Sequence, residues 1–390
     1  MESLTTDILE IIILSIIGIL LLIQLFYYLG LYNRILRHNN ARKKGNIRFS
    51  EELPPVSVVI CAKNESENIR RYLPAILEQD YPQFEVIVIN DGSTDESEEL
   101  LTVLEERYPH LYHSFTPAGS RYISHKKLAL TLGIKASKYD WVIFTEANCT
   151  PASKNWLRLM VRNFTPGTEV VLGHSGYERV KGWFNKRISF DTLFFSLRYL
   201  GFALAKNPYM GIGRNMAYRK ELFFKNKGYS AHLNLQRGDD DLFINQIANS
   251  RNTRVETDQQ AIMHINHSGY YKDWKEEKMS YMATSSYFRG MQRYILGFET
   301  FSRVLFYLII IATIIYGSMT KHWLLVGIAL LAWIIRYAFQ AVIINKTAKE
   351  LGEKRRYYLT LPFFDLLQPI QSLQFKLYRK SQGRGDFMRR

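Results

Sequence analysis

The 390-residue chain contains only two cysteines, Cys61 and Cys149. They lie far apart and match no metal-ligand spacing, so no disulfide framework is implied and the main body suits a reducing compartment. Internal repeats and low-complexity runs are lacking too. Acid is missing from residues 34–48, which carry Arg34, Arg37, Arg42, Lys43, Lys44 and Arg48 alone. It is sparse again in residues 346–390, where eleven cations face Glu350, Glu353, Asp365 and Asp386. These two stretches hold most of the formal net charge of +15, which leaves the middle of the chain close to neutral. A nucleic-acid binder carries its basic patch on the folded domain, so that class is set aside. Cations beside apolar segments read instead as contact with a membrane surface. What the chain has in quantity is apolar surface, with 47% hydrophobic and 14% aromatic residues, and this excludes disorder.

Apart from Glu10, Ser15 and Gln24, the segment from Ile8 to Leu31 is almost wholly apolar. At about 1.5 Å per residue it can cross a hydrocarbon core of about 30 Å. Its acidic start (Glu2, Asp7, Glu10) and the missing small-residue cleavage site argue against a removable signal. The basic run that follows places Arg34 onward in the cytosol. Val304–Met319 and Trp323–Ile344 are joined only by Thr320, Lys321 and His322, which predicts an antiparallel hairpin with both ends cytosolic. Residues 357–378 are amphipathic but carry Pro362, Asp365, Gln368 and Pro369, which suggests a segment lying in the interface. Arg336, inside the last span, suits either snorkelling or contact with a lipid phosphate. The expected organisation is an anchor at 1–33, a basic linker at 34–53 and a central domain at 54–297. A transmembrane hairpin at 303–346 and a basic interfacial segment at 347–390 follow. The expected location is an inner or cytoplasmic membrane, with the central domain in the cytosol.

Within the central domain, Val56–Ile60, Phe84–Ile89 and Trp141–Phe144 are β-branched or aromatic runs typical of buried parallel strands. Helical patterns separate them, with Ser66 and Ser93 or Thr94 as cap candidates. Strand and helix in alternation predict an α/β fold with a mostly parallel sheet, whose ligands bind at the carboxyl ends of the strands. The residues there are Ala62, Lys63, Asn64 and Glu65, then Asp91, then Glu146, Ala147 and Asn148. Asp91 can accept from the ring N–H of uracil, or simply end a turn. Lys127 can meet a diphosphate as a point charge or be an ordinary surface lysine, and Lys126 offers the same charge. Glu146 and Asn148 occupy the place where a carboxylate pair commonly holds a divalent ion. Arg214 and Asn215 follow Gly211 and Gly213, a pattern for an acceptor or phosphate site or for a plain turn. Asp239, Asp240 and Asp241 raise one another's pKa if packed together, which suits a general base; a solvated helix start is the alternative.

In these residues the chain resembles family 2 glycosyltransferases of the GT-A fold, in their membrane-integrated branch, over roughly residues 54–290. The resemblance implies that Ala62, Asn64, Glu65 and Asp91 hold the nucleoside of a sugar donor, one linked to UDP. It implies that Lys127 approaches the diphosphate, that Glu146 contacts the nucleotide, and that Glu146 with Asn148 binds Mg²⁺ or Mn²⁺. It makes Asp240, beside Asp239, the base for a single inverting displacement. Two departures are visible. The metal slot reads Glu146-Ala147-Asn148 in place of two aspartates, and the late acceptor motif is reduced to Glu277, Lys278 and Tyr281 behind Trp274. Together with only three spans, this favours single addition to a lipid-linked or membrane-proximal glycan acceptor, in contact with membrane lipids. The alternatives are a processive polysaccharide synthase and, in another class, a non-catalytic membrane scaffold.

Overall fold

The computed structural model describes residues 8–117, 124–266 and 271–381; Glu2, Asp7 and the charges beyond residue 381 lie outside the described residues. The chain opens with α1 (Ile8–Phe26), a π-helical turn over Tyr27–Tyr32 and α2 (Arg34–Lys43). The first half of the central domain runs β1 (Val56–Ala62), α3 (Ser66–Leu77), β2 (Phe84–Asn90), α4 (Ser97–Arg107), β3 (Leu111–Phe115), α5 (His125–Ala136) and β4 (Trp141–Glu146). Short elements follow: β5 (Cys149–Pro151), α6 (Trp156–Val161), β6 (Val170–Leu172) and β7 (Ser175–Tyr177). Then come the long α7 (Trp183–Leu204), β8 (Met216–Arg219), α8 (Lys220–Lys225), α9 (Asp241–Ile247), β9 (Thr253–Val255), β10 (Met263–Ile265) and α10 (Tyr271–Thr284). The last three helices are α11 (Gln292–Met319), α12 (Trp323–Glu350) and α13 (Leu361–Ser381).

Seven strands make one sheet in the order β3-β2-β1-β4-β8-β6-β9, and β5, β10 and β7 make a smaller one. The β3, β2, β1 and β4 strands are parallel, while β8 runs antiparallel between β4 and β6. Cys61 is level with Glu146 and Ala62 with Asn90, so the residues that leave β1, β2 and β4 meet at one edge. The α5 helix lies close on the sheet at Gly133, where an added Cβ would come within 2.6 Å of Val59 Cγ1. One acid organises the starts of two helices. Asp95 accepts from the Ser66 backbone N–H at 3.0 Å and from the Ser97 N–H at 3.1 Å. Neither helix is capped by the residue the sequence suggests: α3 begins after Glu65 and α4 after Glu96, and no side chain at either position caps it. Burial raises the Asp95 carboxyl, and these hydrogen bonds together outweigh it and hold it down at about 2.

Among the described residues, three helices are long and apolar enough to cross a membrane: the continuous Ile8–Lys43, α11 and α12. Ile17 and Leu20 of α1 pack on Phe306 and Ile310 of α11 and on Ala329 and Ala332 of α12. The α11 helix starts at Gln292, so the span and the edge of the central domain are one rigid rod. The α13 helix runs through Pro369 without a break, and Pro362 falls in its first turn, where a proline is tolerated. Arg336 is turned into the protein, not toward the lipid-facing surface. It is buried and pairs with Asp365 at 2.8 Å, while its other donors reach Gln24 and Tyr307. Asp365 also takes Arg303 at 2.8 Å and the Tyr307 hydroxyl at 2.8 Å. An arginine at this depth needs a counter-charge, and α13 supplies it from 29 residues further along. Asp365→Ala leaves Arg336 without an acid among the described residues and is expected to cost about 3–5 kcal/mol. Thermal unfolding of the full chain in detergent checks this; an unchanged transition would contradict it.

Candidate active site

A cleft of about 400 Å³ opens at the shared edge of β1 and β4, closed on the far side by α9 and α10. Its floor is a run of alternating charges. Glu146, at the end of β4, accepts from Lys126 at 2.9 Å and from Arg214 at 2.8 Å. Lys126 reaches Asp239 at 3.2 Å, and Arg214 reaches Glu277 of α10 at 2.7 Å. Burial alone would raise the Glu146 carboxyl; the two cations outweigh it and hold the group well below the usual range. Burial likewise opposes charge on Lys126, and Asp239 and Glu146 overcome it to keep the ammonium protonated.

The three acids behave differently. Asp240 precedes α9 and accepts from the Asp241 N–H at 2.7 Å, the Gly213 N–H at 2.9 Å and the Tyr281 hydroxyl at 3.0 Å. Gly238, at φ +97°, makes the turn that aims them. Burial raises the Asp240 carboxyl and neighbouring Asp239 raises it further. Asp241 turns inward to Thr284 and the Leu242 N–H, and burial followed by Asp240 pushes its carboxyl well up.

The sequence candidates divide on this geometry. Glu65, Glu146, Asn148, Arg214, Asp239, Asp240 and Tyr281 line the cleft. Asp91 is buried at the end of β2, where Thr116 and His125 approach its Oδ1 at 3.1 and 3.3 Å. Ala62 is buried beside it and gives its carbonyl to the Asp91 N–H at 2.8 Å. Asn64, at φ +53°, ties its loop to Thr94 at 2.8 Å. Lys127 is turned away: its ammonium donates to the carbonyls of His232 at 2.6 Å and Leu235 at 2.8 Å. Burial lowers it to about 8. Its neighbour Lys126 takes the place in the cleft, since adjacent helical residues project about 100° apart. Asn215 is also structural, with all its amide bonds going to Trp156, His174 and Ala261. Lys278 pairs with Asp191 at 2.5 Å outside the polar cleft. Glu277 stood in the reduced acceptor motif, but its pairing with Arg214 was missed; an acid in a helix gives no sign of a partner 63 residues away.

Glu146, Asn148 and Asp239 supply oxygen donors of the kind a hard divalent ion takes. The Lys126 ammonium lies between Glu146 and Asp239, so a divalent ion at this point would have to displace it, and no group of three His, Cys, Asp or Glu is gathered among the described residues.

Residues 57–225 match the model of glycosyl transferase family 2. The chain contains a family 2 glycosyltransferase domain. The match ends before Asp239–Asp241, whose roles rest on geometry. A probable glycosyltransferase of Bacillus subtilis (strain 168), YdaM, is 28% identical over 227 residues, which are 55% of this chain and 52% of that protein. The poly-beta-1,6-N-acetyl-D-glucosamine synthase of Staphylococcus aureus (strain COL) is 30% identical over 36% of this chain and 32% of its own length. The chain thus spans about half the length of the first relative and about a third of the second. Among solved structures, the mannosyltransferase PcManGT from Pyrobaculum calidifontis, in complex with GDP-Man and Mn²⁺, shares the fold. It matches with a TM-score of 0.53 at 18% identity, over 87% of this chain and 100% of that one. The mixed sheet is the GT-A fold, carried here with one N-terminal and two C-terminal apolar helices.

Asp241, raised in the folded state, contributes stability below its unfolded pKa, and that contribution is lost as pH rises through the folded value. Asp241→Asn is therefore expected to unfold at a higher temperature than the native chain at neutral to alkaline pH. The gain should shrink on acidification. Melting curves across pH check the sign; a variant that is less stable at alkaline pH would refute it.

Proposed function

We propose that the chain transfers a sugar from a nucleotide diphosphate donor, UDP-linked, to a hydroxyl of a lipid-linked or membrane-proximal acceptor, with inversion. The observation that carries this reading is the Asp240 carboxylate. Three donors hold it at the meeting point of the charged floor and α10, and its pKa is raised by burial and Asp239. A carboxylate whose pKa is raised is a stronger base, suited to accept a proton from an alcohol as the alcohol attacks. Asp240 takes the hydroxyl proton, the oxygen bonds to the anomeric carbon, and the bond from that carbon to the diphosphate oxygen breaks. The nucleoside diphosphate leaves with the electron pair. Lys126 and Arg214 face the leaving diphosphate across Glu146, and Asp91, Asn64 and Glu65 stand at the nucleoside end.

A divalent ion, which PcManGT holds as Mn²⁺, would be held by Glu146, Asn148 and Asp239 and would offset charge on the departing diphosphate. The Staphylococcus relative's name supports an N-acetylhexosamine as the sugar. The basic segment behind α1 supports a cytosolic face for the domain. A polymer-forming reading draws on the same Staphylococcus relative; a product ladder on a gel would favour it over single addition.

Asp240→Asn is expected to cut transfer by about 10²–10⁴-fold while UDP binding in the presence of Mn²⁺ persists. In the native chain the rate should rise with pH through a limb displaced above the ordinary aspartate value of about 3.9. Turnover retained in the variant would remove Asp240 from its role.

A further inference from the structure

A second cavity, of about 700 Å³, lies beside the cleft between α7, α10, α11 and α13. Phe195, Met282, Leu296, Phe301, Leu373 and Phe375 form much of its wall. Trp274 and Tyr281 line this groove and the polar cleft alike, so the two adjoin at α10. The same Tyr281 donates to Asp240 at 3.0 Å. On α13, Leu366, Ile370, Leu373 and Leu377 recur at helical spacing and are 38%, 51%, 58% and 58% exposed. Phe298 and Phe301 are similarly bare on α11, which continues directly into a span. Apolar faces of this size beside a spanning helix are covered by a bilayer. The groove therefore joins a lipid-facing surface to the Asp240 carboxylate.

Its charged lining is Arg198, Lys278, Arg293, Arg303 and Lys376 against the single acid Asp191. Arg198 and Arg303 are engaged by Glu299 and Asp365, and Lys278 by Asp191. Arg293 bonds to the Ser286 carbonyl, and neither it nor the exposed Lys376 has a carboxylate partner among the described residues.

We propose that this groove holds the hydrocarbon chain of the acceptor, a lipid whose attacking hydroxyl sits on a phosphate-linked head group; this rests on the transferase reading above. Aromatic and aliphatic side chains outnumber the polar ones in this wall, which suits a hydrocarbon chain better than a growing glycan. The phosphate itself is not the nucleophile. An anion is repelled by Asp239–Asp241 and needs no base, whereas a neutral hydroxyl can approach Asp240 and requires one. The phosphate stays behind on the groove side of Tyr281, where Lys278 is already paired with Asp191. Arg293 and Lys376 add to the positive wall.

The test is photolabelling of the full chain in detergent with hexadecyl phosphate that carries a terminal diazirine, followed by mapping of the labelled peptides. Label is expected on the groove residues of α10, α11 and α13, displaced by unlabelled hexadecyl phosphate but not by inorganic phosphate. Leu296→Trp, which fills the groove, should cut the label by about tenfold, equivalent to about 1.4 kcal/mol; UDP binding by the variant verifies that it is folded. Label confined to the outer faces of α1 and α12, or undiminished in Leu296→Trp, would overturn the proposal. So would displacement by inorganic phosphate or by an N-acetylglucosamine oligosaccharide. Failure of the native chain to bind UDP would instead overturn the transferase reading.

Discussion

Glu146 accepts from two cations at once, Lys126 on one oxygen and Arg214 on the other, and this shared carboxylate ties the cleft together. Buried charge is tolerated only when paired and hydrogen-bonded. Each cation therefore reaches on to a further acid, Lys126 to Asp239 and Arg214 to Glu277. The run draws α5, β4, the approach to β8, the turn before α9 and the α10 helix onto one floor. Asp240 lies just beyond it, where no cation comes close enough to form an ion pair among the described residues. Its carboxyl is raised, while that of Glu146 is held down. One acid kept as a fixed anion and another left able to accept a proton is the division of labour that a displacement reaction needs.

The same rule operates in the membrane region. Asp365 of α13 answers Arg303 and Arg336 from two separate helices, and Gln24 of α1 joins both Arg336 and Ser302. These bonds leave little freedom for α13 to slide. Because α13 and α11 also wall the apolar groove, this network fixes the groove's width. Tyr281 is the hinge of the account: its ring lies in the groove and its hydroxyl on Asp240.

Much of this was legible in the sequence, for identifiable reasons. β1, β2 and β4 are buried on both faces, so they read as continuous β-branched runs, and the spans announce themselves by length. β3 was not visible because it is an edge strand whose exposed Tyr112 and polar His113 break the pattern. The β6, β8 and β9 strands are only three or four residues long, too short for any period to register. Lys126 and Lys127 are chemically identical side by side, and only the rotation of α5 decides which faces the acids. Asn215 and Arg336 looked available for ligand because their partners, Trp156 and Asp365, are distant in the chain. Asp240 stood out because three consecutive acids directly precede the apolar pair Leu242 and Phe243, which draws them toward the protein.

The central claim is that this cleft moves a sugar from a nucleotide onto a lipid. The most direct measurement supplies the full chain, in membranes or detergent with lipid extract, with a panel of radiolabelled nucleotide sugars and follows where the label goes. One donor is expected to transfer its label into the organic-solvent phase, on a lipid bearing a single added sugar. Label that stays entirely on the nucleotides, or that accumulates as a water-soluble ladder, would contradict it.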